Sequence, residues 1–262
     1  MRRGRRVRLD HVRRGSGRPL LLVHGIGGSW LTWEPLLDRL AAERDAIAVD
    51  LPGFGGSDPL PRGVVPTPAA LAEAVAEFAR ETLGPDPVDV AGHSLGGWIA
   101  LELAKLGVAA RATAVAPAGF WEGWETGFAR GQLRLTAWLV RGHRLDAIVG
   151  RRRLRPVVAG TQFGDAAGVP AALMRRQFDA LRAATRYDET LEAMTARRFE
   201  GGERIAVPVS ILWGTRDGLL LPPQAPRARD AVPGAELTML RGAAHFAHWD
   251  RPEPAVRALL GS

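Results

Sequence analysis

Val88-Asp89-Val90-Ala91-Gly92-His93-Ser94-Leu95-Gly96-Gly97-Trp98 decides how the rest of the chain reads. It opens on a short β-branched run and continues into Trp98-Ile99-Ala100-Leu101-Glu102-Leu103-Ala104, whose apolar residues have helical spacing. Between them Gly92-His93-Ser94-Leu95-Gly96 fits the pattern G-x-S-x-G. A serine on such a strand-to-helix turn sits in a strained backbone, and a glycine two residues to either side lets strand and helix approach without clashing Cβ atoms. The turn pushes the Ser94 hydroxyl out at the carboxyl end of the strand. The next helix aims its free N–H groups and partial positive charge at the same point. A glycine-rich turn can also be mere packing, so the rest of the chain has to decide.

The chain alternates strands and helices. Residues 6–9 and 11–14 read as a short hairpin. The apolar run 18–23 reads as a central parallel strand ending in His24-Gly25-Ile26-Gly27-Gly28. Residues 31–42 have helical spacing, with Trp33, Leu36, Leu37 and Leu40 on one stripe. Strand 45–49 runs into Asp50-Leu51-Pro52-Gly53-Phe54-Gly55-Gly56-Ser57-Asp58, dense in turn residues. Thr67 and Pro68 cap a helix over 67–83, and 111–116 is a further strand. These spacings predict a mostly parallel, doubly wound, twisted sheet with helices on both faces. From 120 to 204 there are helical stretches rich in bulky residues and no strand pair, which predicts a helical cap (120–204) inserted after the sixth strand. The core is then 1–119 with 205–262. Strand order resumes at 207–213 and 236–240, with a final helix over 252–260.

Composition excludes several classes. The chain has 262 residues and no cysteine, so there are no disulfides and no thiolate or Cys-ligated metal chemistry. No apolar run reaches membrane-spanning length, and the charged start has no apolar stretch behind it, so no secretory signal is read and the cytoplasm is the expected compartment. The net charge is +7, carried almost entirely by arginine, with Lys105 the only lysine. Arg2, Arg3, Arg5, Arg6, Arg8, Arg13 and Arg14 crowd the start, and Arg151, Arg152, Arg153 and Arg155 form a second cluster. No nucleic-acid-binding signature accompanies them, and neither nucleic acid nor membrane is expected as a partner.

Three groups stand at the carboxyl ends of successive strands, the edge where open α/β sheets bind ligands: Ser94, Asp217 and His245. With Val23-His24-Gly25-Ile26-Gly27-Gly28, the 50–58 loop, Trp213-Gly214-Thr215-Arg216-Asp217 and Gly242-Ala243-Ala244-His245, the order Ser, Asp, His resembles the α/β-hydrolase fold family in its lidded, single-domain form. The resemblance covers about residues 6–260 apart from the lid.

The roles follow from chemistry. A serine hydroxyl needs a base during attack. His245 titrates near neutrality and is the natural one. Asp217 would accept its other ring N–H and fix the tautomer. The resemblance further implies that the backbone N–H groups of Ile26 and Leu95 receive the oxyanion. His248 is a weaker candidate base, and Glu122 a weaker candidate acid. His24 and His93 are read as bonding to backbone, and Asp50 and Asp58 as shaping their loop. A serine at position 94 argues against haloalkane dehalogenases and epoxide hydrolases, which resemble this fold but attack with aspartate.

The expectation is a cofactor-free, metal-free serine hydrolase acting on an ester, lactone or thioester with an apolar portion. Trp30, Trp98, Trp121, Trp124 and Phe246 are candidate pocket walls. The alternatives are a carbon–carbon bond hydrolase or cofactor-free perhydrolase on the same triad, and a non-catalytic small-ligand-binding protein of the hydrolase fold.

Overall fold

The computed structural model describes residues 6–261; Arg2, Arg3 and Arg5 of the basic start lie outside them. In chain order the elements are β1 (His11–Gly15), β2 (Pro19–Val23), α1 (Glu34–Ala41), β3 (Asp45–Val49), α2 (Pro68–Thr82), β4 (Val88–His93), α3 (Leu95–Lys105) and β5 (Ala109–Val115). Five helices follow: α4 (Glu125–Arg141), α5 (Asp146–Val149), α6 (Arg155–Ala159), α7 (Ala171–Ala183) and α8 (Tyr187–Thr195). The chain ends with β6 (Val209–Gly214), α9 (Gln224–Asp230), β7 (Glu236–Leu240), α10 (Ala247–Asp250) and α11 (Pro252–Leu260).

The strands form one sheet in the order β1-β3-β2-β4-β5-β6-β7. Only β1 runs antiparallel, against β3. Alternation along each central strand divides the core in two, because successive side chains leave opposite faces. Leu21, Val23, Ile47, Val49 and Val90 pack with α2 and α3, where Leu71, Val75, Ile99 and Leu103 are buried. Leu20, Leu22, Ala46, Ala48 and Ala91 pack on the other side against Trp33, Leu36, Leu37 and Leu40 near α1 and against Val256 and Leu259 of α11. Helix α2 begins as its sequence dictates: the Thr67 hydroxyl accepts from the Ala70 N–H and Pro68 occupies the first turn.

The structure corrects the start of the chain. Residues 6–9 form no strand. This segment and the adjoining Asp10 bond instead to the loop after β3: Asp58 N–H donates to the Arg8 carbonyl, and Asp50 N–H to that of Asp10. Asp10 N–H reaches Ser57 Oγ at 2.8 Å. A bent loop offers no regular ladder, so the segment stays irregular. The helical stretch consequently follows the fifth strand, not the sixth.

Residues 120–204 contain helices and no strand. Val149, Ala159, Phe163, Ala166, Val169 and Met174 form a small separate core, which seats on Phe246 and Trp249 next to α10. Among the described residues no helix is long and apolar enough to cross a membrane.

Candidate active site

The floor of the site is the turn from β4 into α3. Ser94 has φ 58° and ψ −117°, a region costly for a residue with a Cβ. The flanking glycines make the turn possible. A Cβ on Gly92 would collide with the Gly96 carbonyl, and one on Gly96 with the carbonyls of Val23 and His24. Ser94 N–H donates to the Val115 carbonyl at 2.8 Å, and Gly28 N–H to that of Gly25 at 3.1 Å. The N–H groups of Ile26 and Leu95 are left without a backbone acceptor among the described residues.

Asp217 follows β6 and His245 follows β7. His245 Nδ1 lies 2.8 Å from Asp217 Oδ2, and both side chains are almost fully buried. The other carboxylate oxygen accepts the N–H groups of Leu219 at 2.9 Å and Leu220 at 2.8 Å. An acceptor-only carboxylate facing Nδ1 puts the proton there and leaves Nε2 with a lone pair. Ser94 and His245 line the same cavity. Among the described residues the Ser94 hydroxyl makes no hydrogen bond, so it is uncommitted; such contacts often align only when substrate is bound.

Two further histidines, His93 and His24, brace this arrangement. His93 Nε2 donates to the His245 carbonyl at 3.1 Å, and its ring lies 4.7 Å from the His245 ring. Burial first, then the neighbouring His245 and His248, holds its pKa well below the usual imidazole value, so it stays neutral. His24 Nδ1 donates to the Gly25 carbonyl at 2.7 Å while Nε2 accepts the Leu51 N–H at 2.9 Å. These bonds fix its tautomer, and burial lowers its pKa. Asp50 shapes its loop by accepting the N–H groups of Trp30 and Gly56. His248 does not line the cavity: its Nε2 donates to the Thr32 carbonyl at 3.2 Å, and burial pushes its pKa down to about 3. Glu122 is exposed and pairs with Arg198 at 3.1 Å, far from a triad role.

The cavity above Ser94 holds about 130 Å³, and among the described residues no Arg, Lys, Asp or Glu lines it. Of the five aromatic residues expected at its walls, only Phe246 lies there. Trp98 is buried in the sheet core, its indole N–H on Glu102 at 3.0 Å, one helical turn away. Trp121 is buried beside it, donating to the Arg197 carbonyl. Trp30 packs against the α1 side of the core beneath the Arg176 guanidinium. Trp124 is 67% exposed, its ring against Phe128. In each case the polar edge or the packing of the ring chose a different neighbour. The walls are instead Phe163, Met174, Phe178, Leu181 and Tyr187 of the helical segment. Their signal in the sequence is the 174, 178, 181 spacing, which puts three bulky apolar groups on one face of α7.

Hydrogen bonds stitch this segment to the loops carrying Asp217 and His245. Phe246 N–H donates to the Gln162 carbonyl at 2.7 Å. Gln132 Nε2 donates to the Gly218 carbonyl at 2.8 Å. Asp250 accepts from both Gly164 and Ala244 N–H groups. Phe163 stacks on Phe246 with centroids 4.6 Å apart.

A family model described as the alpha/beta hydrolase family matches residues 20–259. The chain belongs to that family. Its relatives include the dihydrolipoyllysine-residue acetyltransferase component of the acetoin cleaving system of Cupriavidus necator, 32% identical over 94% of this chain and 63% of that protein. An uncharacterized Mycobacterium tuberculosis protein is 30% identical over 91% of this chain and 73% of its own length. The chain thus spans about two thirds of the length of these relatives. Among solved structures, a thermophilic esterase from Thermogutta terrifontis superposes with a TM-score of 0.75 at 21% identity, covering 97% of this chain and 92% of that one. The enol-lactonase of Burkholderia xenovorans LB400 does so with 0.74 at 20%, covering 97% and 95%. At these identities the likeness is one of fold.

Proposed function

We propose that this family member is a serine hydrolase that forms an acyl-enzyme on Ser94 from a small ester, lactone or thioester. The observation that carries the reading is the buried Asp217–His245 pair opening onto the same cavity as a serine held at φ 58°. In the forward step Ser94 Oγ attacks the acyl carbon and its proton passes to His245 Nε2. The carbonyl oxygen becomes an oxyanion held by the Ile26 and Leu95 N–H groups. The imidazolium, steadied by Asp217, returns the proton to the leaving oxygen or sulfur as the acyl bond breaks. Water, deprotonated by His245, then repeats the sequence and releases the acid.

The helical segment 120–204 acts as the lid. It closes an apolar space of about 130 Å³ over Ser94, close to the ~150 Å³ that accommodates a benzene ring. The acyl portion is therefore small, on the order of six heavy atoms.

One relative favours a second fate for the same intermediate. The Cupriavidus necator protein is named as an acetyltransferase component, so a thiol or other nucleophile could take the acyl group in place of water. The test of the main reading is steady-state hydrolysis of short p-nitrophenyl esters by wild type and Ser94→Ala. A fall of about 10⁶-fold in kcat is expected if the triad acts as a unit. Unchanged turnover in the variant overturns the reading.

A further inference from the structure

The roof of the cavity is one face of α7. Met174, Gln177, Phe178 and Leu181 recur at the spacing that places side chains on one side of a helix, and all four line the cavity. Three of them are apolar. Gln177 interrupts the face with a carboxamide whose Nε2 is buried and has no hydrogen-bond partner among the described residues. Tyr187, also at the cavity, is satisfied, since its OH donates to the Leu133 carbonyl at 3.0 Å. A buried donor with no acceptor has lost its water and gained nothing in exchange, and it recovers the loss only if a ligand brings an acceptor. Among the described residues no Arg, Lys, Asp or Glu lines the cavity, so none of them compensates a charged ligand, and the matching acceptor is neutral.

We propose that Gln177 is a specificity-determining residue, and that the preferred substrate carries one uncharged oxygen acceptor, such as a ketone carbonyl, within its small acyl portion. Gln177 Nε2 donates to that oxygen while the acyl carbon sits over Ser94. The proposal rests on the acyl-enzyme reading above and adds the substrate class to it.

The test uses p-nitrophenyl esters of two isosteric acid pairs, 4-oxopentanoic against 4-methylpentanoic and 5-oxohexanoic against 5-methylhexanoic. Within a pair the ketone oxygen replaces a methyl group of nearly equal size. An apolar cavity without a donor prefers the methyl acid. The wild-type protein is expected to prefer the oxo acid in kcat/KM by about tenfold at one of the two chain lengths, the worth of one hydrogen bond that rescues a buried donor. Gln177→Leu is expected to reverse that preference. Its thermal midpoint should equal or exceed that of wild type, because an unpaired buried donor is removed; a merely structural glutamine would show a fall. Turnover of all four esters with a methyl preference in wild type, or an oxo-to-methyl ratio untouched by Gln177→Leu, overturns the assignment alone. No turnover of any ester by wild type overturns the acyl-enzyme reading, and this assignment with it.

Discussion

Replacing Asp217 with asparagine keeps the shape of the side chain and removes one charge, and the surroundings dictate which way the new amide faces. One carboxylate oxygen accepts two backbone N–H groups, those of Leu219 and Leu220, at 2.9 and 2.8 Å. The amide oxygen of the substituted side chain has to take that position, since an NH₂ there would confront two donors. The NH₂ is then turned toward His245 Nδ1, where the aspartate oxygen stands at 2.8 Å. Nδ1 must accept, so the ring proton moves to Nε2 and the lone pair that the proposed mechanism needs to take the Ser94 proton is gone. A wrong tautomer in this kind of triad costs about 10⁴-fold in kcat, or about 5.5 kcal/mol of transition-state stabilisation. The hydrogen-bond count of the loop is unchanged, so the variant folds. The assay is kcat on a short p-nitrophenyl ester, with the thermal midpoint as the control for folding. A folded Asp217→Asn protein that retains activity within about tenfold of wild type refutes this reasoning.

Other expectations follow from the same geometry. Gly96→Ala drives a Cβ into the carbonyls of Val23 and His24, so denaturant titration should show a loss of more than about 3 kcal/mol. Gly131→Ala, in the interior of α4 with nothing near the new methyl group, should instead gain about 0.5–1 kcal/mol. His248, with its pKa pushed down to about 3 by burial, stays neutral in the fold, while the unfolded chain takes up a proton below about pH 6.5. That contribution is whole above about pH 6.5 and drains away as the pH falls toward 3. By pH 5 about 2 kcal/mol is lost through this ring. His248→Gln should flatten the fall in stability between pH 7 and 5, even if it lowers the value at pH 7. An unchanged acid slope would contradict the buried neutral ring.

The parts of the site that local chemistry writes were legible in the sequence. Gly92 and Gly96 are demanded by carbonyls a Cβ would strike. The Ser94 turn and the loops bearing Asp217 and His245 stand at strand ends because each strand pattern is complete within a few residues. The central strands β2, β3 and β4 were legible for the same reason: runs apolar on both faces have nowhere to go but the middle of a covered sheet. The cavity walls were not. Periodicity tells which residues of α7 share a face, but not that this face roofs Ser94; that depends on long-range bonds such as Phe246 N–H to Gln162 and Gln132 to Gly218. Size alone also misled. Trp98 and Trp121 are large enough to wall a pocket, yet their indole N–H groups are paired with Glu102 and the Arg197 carbonyl and their rings fill the core. Residues 6–9 alternate like a strand, but the Arg8 carbonyl accepts from Asp58 of the 50–58 loop and not from β1.

The most direct trial of the account is covalent. Incubation with a fluorophosphonate, followed by intact-mass measurement and peptide mapping, should add one phosphonyl group at Ser94, fast in wild type, slow in Asp217→Asn and absent in Ser94→Ala. A protein that stays unlabelled, or that carries the adduct on another residue, would contradict an activated serine on the floor of this cavity.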